Sequence, residues 1–219
     1  KVGVPRKTPD FFPIEVMNAI LGGQFSSRIN LNLREAKGYT YGARSEFAFR
    51  KGPGPFEAGG TFRTSVTKES LVELMKELTE IGGSRPATDA EIAFAKGRII
   101  QGFPGRFETT GGVAGALMSV VIYGLPDNYF KTYQPNVEAV SKADVDRVAK
   151  TYITPDSLAI LVVGDRSKVE ESIRSLPFGK TIHHIDAEGN PVEGSSSSKA
   201  ASTGGGRSAK PTREKTGVN

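Results

Sequence analysis

The apolar positions of this chain fall into blocks of helical and strand-like spacing, punctuated by glycine and proline. Ile14, Met17, Ile20 and Leu21 recur at helical intervals behind Asp10-Phe11-Phe12-Pro13, where Asp10 suits an N-cap and the proline a first turn. Gly22-Gly23 closes that helix. Ser26 or Ser27 can cap a second segment running to Lys37. There Ile29, Leu31 and Leu33 alternate as in a strand, yet Ile29 and Leu33 also share one helical face, so local pattern leaves both states open. Residues 40–50 read as a strand, RKGPGP at 50–55 as a turn, and residues 56–63 as the antiparallel return. A helix opened by Thr67 presents Leu71, Leu74, Met75, Leu78 and Ile81 on one face and stops at Gly82-Gly83.

A more helical block follows. Thr88 with Glu91 three residues on is a capping box for a helix towards Gln101, and residues 102–105 break it. The next helix spans roughly 108–123, with Gly111, Gly112 and Gly115 allowing close backbone approach. Pro126 and Asp127 open another, and Ser141 with Asp144 caps a short one ending near Tyr152. The run at 158–163 predicts a central strand, 167–175 a helix and 180–185 a last strand. Hairpins, a mostly antiparallel sheet and helices packed on it define an α+β class. Val2, Gly3 and Val4 read as strand, so the opening strand is expected to be truncated. One domain over residues 1–192 is expected. From Glu193 the chain turns to serine, glycine and lysine, a composition that predicts a disordered tail over 193–219.

Composition narrows the partners. Hydrophobic residues at 37% and charged residues at 24% suit a globular domain, and no uninterrupted apolar run is long enough to span a membrane. Zero cysteines exclude disulfides and thiolate metal sites without fixing a compartment. The net charge of +5 carries a surplus of three from residues 193–219, leaving the folded part about +2 with no basic stripe for nucleic acid.

Nucleophile arrangements are absent. There is no Gly-x-Ser-x-Gly elbow, and the glycines at 111–115 lack the lysine of a phosphate loop. The two histidines, His183 and His184, are adjacent. Neighbouring residues point apart on a strand and diverge by about 100° on a helix, so they do not converge on one metal as His-x-x-Glu-His does.

The remaining candidate is the corner at 21–42, LGGQFSSRINLNLREAKGYTYG, which sets Arg34 and Tyr41 seven residues apart. Its spacing, GG-x-F-x-SR-x-x-x-x-LRE-x-x-G-x-x-Y, strongly resembles the C-terminal, non-zinc-binding half of insulinase/pitrilysin-like zinc metallopeptidases, relatives of which include mitochondrial processing peptidase. Weaker likeness runs over most of residues 2–192 through PDFFPIEVMNAILGG, GRF, YGLPDNYF, SLAILVVGDRSKVEESI and IDAEGNPV. The resemblance settles residues 28–37 as helix.

That resemblance implies a module of duplicated-half type in which no residue of this chain is catalytic and none binds metal. Arg34 and Tyr41 would hold a peptide substrate over a zinc ion bound by an N-terminal half or partner subunit; Tyr39, two residues from Tyr41, is a second source of the hydroxyl. The alternatives are a catalytically silent scaffold subunit and a plain peptide-binding module. Bacterial relatives imply a periplasmic or otherwise exported location, with the cytoplasm also open. The physical sense of the pair stands by itself: an arginine fork and a tyrosine hydroxyl can orient a scissile carbonyl and stabilise its developing oxyanion.

Overall fold

Helix α1 (Phe11–Asn18) and the π-helical turn that continues it (Ala19–Gly23) form the spine of the core in the computed structural model, which describes residues 1–192. Ile14, Met17 and Leu21 are fully buried along that spine, packed against α7 (Lys142–Tyr152), α4 (Asp89–Gly102) and α6 (Tyr129–Ala139). Each such side chain contributes roughly 1.5–3 kcal/mol by leaving water. Asp10 occupies the N-cap position but makes no cap bond. Its carboxylate accepts instead from Arg147 Nη2 at 2.8 Å and Tyr152 Oη at 2.6 Å, which fastens α1 to α7.

The segment with ambiguous pattern is helical. It comprises α2 (Arg28–Asn30) and a π-helical extension (Leu31–Ala36); Ile29 and Leu33 are fully buried, whereas Leu31 is 45% exposed. Burial of one helical face and exposure of the residue between decide the period. Ser27 stands at the N-cap without a side-chain cap bond.

The hairpin pairs β1 (Thr40–Phe47) with β2 (Phe56–Phe62) antiparallel, Phe47 opposite Phe56 and Ala43 opposite Gly60, with an irregularity between Thr40 and Ala43. Ala43, Ser45 and Phe47 point into the core and the residues between them face solvent, as a period of two requires. Helix α3 (Thr67–Ile81) buries Leu74, Leu78 and Ile81 and ends at Gly82. The capping boxes at Thr88/Glu91 and Ser141/Asp144 both form. Helix α5 (Thr110–Tyr123) is capped by Thr109, whose Oγ1 accepts from Gly112 N. Of the three glycines at its start only Gly112 is tight: a Cβ there would strike the carbonyl of Arg106, while Gly111 and Gly115 have open space. The next helix begins at Tyr129 rather than at Pro126, and α8 (Arg166–Arg174) completes the set.

Two expected strands are not formed. Residues 158–163 lie outside regular structure, with Leu161 71% and Val163 90% exposed. Residues 180–185 hold only an isolated bridge from Ile185 to Pro191. The fold class is α+β, but the sheet among the described residues is a single antiparallel pair. A strand is stable only beside a partner, and no described strand lies beside residues 158–163. The tail expected to be disordered, 193–219, lies outside the described residues.

Candidate functional site

Arg34 sits on the π-helical end of the second helix, where Lys37 N reaches back to Asn32 O at 3.0 Å. Single π-helical turns inside α-helices concentrate at functional sites. Gly38 then takes φ +62°, the left-handed conformation that favours glycine, and its N–H donates to Arg34 O at 3.0 Å. The helix is therefore closed directly behind the arginine and the chain turns sharply into β1.

Neighbouring helices hold this corner on two sides. Arg28, with a side chain 7% exposed, donates from Nε and Nη2 to the two carboxylate oxygens of Glu91 at 2.6 and 2.7 Å, and from Nη1 and Nη2 to Arg85 O and Pro86 O at 2.5 and 3.0 Å. The guanidinium holds Glu91 well below the ordinary glutamate range, at about 2, despite partial burial that acts the other way. Asn32 Nδ2 donates to Glu73 at 3.0 Å and to Glu77 at 2.8 Å, and Lys37 pairs with Glu73 at 3.2 Å. The amide of Asn32 and the charge of Lys37 lower the pKa of Glu73. Behind the corner, Asn18 and Ser45 exchange hydrogen bonds at 2.7 and 3.1 Å. A Cβ on Gly22 would collide with Ser45, so only glycine lets the π-helical turn of α1 lie this close to β1.

Between these supports opens a cavity of about 710 Å³, lined by Arg34 and Tyr41 together with Gly22, Gly23, Phe25 and Asn30 and by the outer face of the hairpin. Arg34 is held at its mouth by the Phe25 ring, 4.5 Å from ring centre to guanidinium carbon, and by Glu35 at 3.4 Å. Glu35 is thus an ion partner of the arginine. Tyr41 is 99% exposed and its hydroxyl has no bonded partner among the described residues. Tyr39 lies differently: it packs partly buried against the hydrophobic core and is not part of the cavity lining. The irregularity between Thr40 and Ala43 breaks the alternation that would put both tyrosines on one face.

Sequence reasoning missed the hairpin's share of the lining. Arg44, Glu46 and Glu57 face the cavity, with Glu46 directly opposite Glu57 across the strands. The signal was present as polar residues alternating with Ala43, Ser45 and Phe47. The lining therefore carries two arginines, Arg34 and Arg44, and two carboxylates, Glu46 and Glu57.

No grouping of three or more metal-ligating side chains exists among the described residues. His184 approaches Glu170 at 3.4 Å without hydrogen-bond geometry, and that carboxylate is already taken by Arg166 and Arg174. The two arginines hold Glu170 down at about 2. Neither this cluster nor the Arg34–Tyr41 cavity, where no third ligating side chain joins Glu46 and Glu57 among the described residues, fits a zinc ion. No helix among the described residues is long and apolar enough to cross a membrane.

Residues 2–99 match the family model described as Peptidase M16 inactive domain. A curated relative, the non-peptidase homolog YmxG of Helicobacter pylori, is 24% identical over 159 residues, which make up 73% of this chain and 37% of that protein. This chain thus spans little more than a third of that relative's length. The solved peptidase M16 inactive domain from Pseudomonas fluorescens superposes with a TM-score of 0.64 at 24% identity, over 71% of this chain and 37% of that one. The inactive peptidase domain of a zinc-protease candidate from Bordetella parapertussis gives 0.55 at 20% identity, over 70% of this chain and 82% of that one. At these identities the structural likeness speaks for the fold.

Proposed function

We propose that this chain, whose residues 2–99 match the model of the peptidase M16 inactive domain, is the substrate-binding, non-catalytic half of a zinc metalloendopeptidase, holding a peptide in the Arg34–Tyr41 cavity against a zinc site carried by another half or subunit. The observation that supports this most directly is that Arg34 and Tyr41, seven residues apart, line one cavity, with a helix end held firmly behind them. The guanidinium presents a fixed fork of donors and keeps its charge at any working pH. The tyrosine hydroxyl is a neutral donor with no competing partner among the described residues. Together they can orient a peptide carbonyl and stabilise the negative charge that develops on its oxygen. The hydrolytic step itself belongs to the part that holds the metal, since no residues described in this chain fit it. An exported location is the compartment proposed for such an enzyme.

The test is turnover by the reconstituted peptidase. Arg34→Ala and Tyr41→Phe are each expected to lower kcat by ten-fold or more, with folding stability nearly unchanged. Near-normal turnover in both variants would overturn the reading.

A second reading, a catalytically silent scaffold, is favoured by the relative described as a non-peptidase homolog. It predicts that removing the whole chain disrupts assembly of a complex, while Arg34→Ala and Tyr41→Phe leave it intact and active.

A further inference from the structure

Helix α5 carries no charged side chain over its 14 residues, and none of them reaches full burial. Its inner side rests on the domain through Val120, which packs against the hydrophobic core, and through Tyr123, whose Oη donates to Phe49 O at 3.4 Å. The outer side is equally apolar. Val113, Leu117, Met118, Val121 and Ile122 are 38%, 59%, 59%, 82% and 48% exposed, and Gly111, Ala114 and Gly115 are exposed beside them. A helix that is apolar all round is ordinarily covered all round, and a contiguous exposed apolar surface marks a docking site.

The order of side chains along the outer face identifies its occupant. Small residues, Gly111, Ala114 and Gly115, hold the N-terminal half, and large ones, Leu117, Met118, Val121 and Ile122, the C-terminal half. A Cβ on Gly111 or Gly115 would meet nothing within 4 Å, so the first half is an open depression and the second a ridge. Two such helices laid antiparallel about a two-fold axis near Ala116 seat each ridge in the other's depression. Leu117 then lies opposite Gly115 of the second copy, and Met118 opposite Ala114 of the second copy. A parallel pair would set ridge against ridge. The flanking charges agree: Arg106 and Glu108 precede the helix, Asp127 and Lys131 follow it, and all four are exposed. Each end thus offers one cation and one anion to the opposite end of its partner, and antiparallel macrodipoles attract.

We propose that α5 is the contact surface of a two-fold homodimer, in which the outer faces of this helix from two copies pack antiparallel. One patch serves both sides of such an isologous contact, and the large-to-small order along α5 makes it complementary to itself. At 1.5 Å per residue the helix is about 21 Å long, so the pair buries on the order of 1,000 Å², the lower bound for specific association. The dimer therefore forms with micromolar affinity. No residue of α5 lines the Arg34–Tyr41 cavity, so both cavities stay open in the pair, and the dimer does not depend on the function assigned to them.

Sedimentation equilibrium of the chain across the micromolar range tests this, and a reversible monomer–dimer equilibrium is expected. Leu117→Asp and Val121→Asp alter side chains exposed in the monomer, so they should leave the circular dichroism spectrum unchanged while raising the dimer Kd at least ten-fold. The chain has no cysteine, which allows the orientation to be read by cross-linking. Oxidation of the double variant Ala114→Cys/Met118→Cys should give a covalent dimer faster than either single variant does. A chain that stays monomeric, a dimer indifferent to Leu117→Asp, or fastest cross-linking by Ala114→Cys alone would overturn the proposal. So would a monomer that sediments with phosphatidylcholine vesicles unless Leu117 is replaced, because the face would then belong to a lipid surface.

Discussion

Arg28 grips both carboxylate oxygens of Glu91, and the same glutamate closes the capping box of α4 by accepting from Thr88 N at 2.8 Å. One carboxylate thus terminates α4 and anchors the helix that leads to Arg34. Arg28→Ala leaves part of this network without its cation. Charge-assisted bonds of this kind contribute about 1.5–3 kcal/mol, so a loss of about 2 kcal/mol is expected. Urea denaturation checks it: the midpoint should fall at an unchanged slope. A midpoint within error of the parent would remove the anchor role.

The same pair predicts an acid dependence. The carboxyl of Glu91 is lowered from 4.5 to about 2 in the folded chain, chiefly by Arg28. A depressed folded-state pKa stabilises above the unfolded value, and that stability is lost as pH falls through the folded one. The contribution should therefore be complete above about pH 5 and fade between about pH 4.5 and 2. Partial solvent exposure limits it to about 1–2 kcal/mol. The stability gap between the parent and Arg28→Ala should narrow across that window. A gap constant from pH 6 to pH 2.5 would contradict the assignment.

Gly22→Ala should be costly although the added group is one methyl. Its Cβ would meet the backbone and side chain of Ser45, forcing α1 and β1 apart. Overpacking of this kind costs roughly 1–3 kcal/mol. Gly111→Ala, at a position with open space, is the control and should be neutral or slightly stabilising. Similar melting shifts for the two would show that the close approach carries no weight.

Phe25 supports the guanidinium of Arg34 from below. An exposed cation–π contact contributes about 0.5–1 kcal/mol, so Phe25→Ala should lower turnover of the reconstituted peptidase by roughly two- to five-fold without unfolding the chain. Tyr39→Phe should be mild beside Tyr41→Phe, because Tyr39 is turned to the core. A severe Tyr39 effect beside a silent Tyr41 would reverse the assignment of the two tyrosines.

The purified chain should hold no stoichiometric zinc, since no further ligands join His183 and His184 among the described residues. Metal analysis after dialysis reads this directly; one tightly held zinc per chain would contradict it.

Much of the local structure was legible because it is set by near neighbours. The boxes at Thr88/Glu91 and Ser141/Asp144, the stop at Gly22-Gly23 and the hairpin across RKGPGP are decided within a few residues, and each forms as read. The corner motif carried Arg34 and Tyr41 together for the same reason: a fixed helix end and one tight turn separate them. Asp10 shows the limit. Its sequence position fits a cap, but Arg147 and Tyr152, distant in sequence, compete for the carboxylate and win it. Charge-assisted bonds outweigh a neutral backbone N–H as donors.

By itself the sequence determined most of the helices, the hairpin and the lack of a His-x-x-Glu-His spacing, all of which rest on short-range spacing. Only the tertiary structure separated Tyr39 from Tyr41, since a strand irregularity changes which way a side chain faces without changing the order of residues. It also brought Arg44, Glu46 and Glu57 to the cavity, by cross-strand pairing that depends on register. The run at 158–163 has the composition of a central strand, yet it stands unpaired and exposed. Composition gives a segment the capacity to pair, but a β-strand is made by its neighbour.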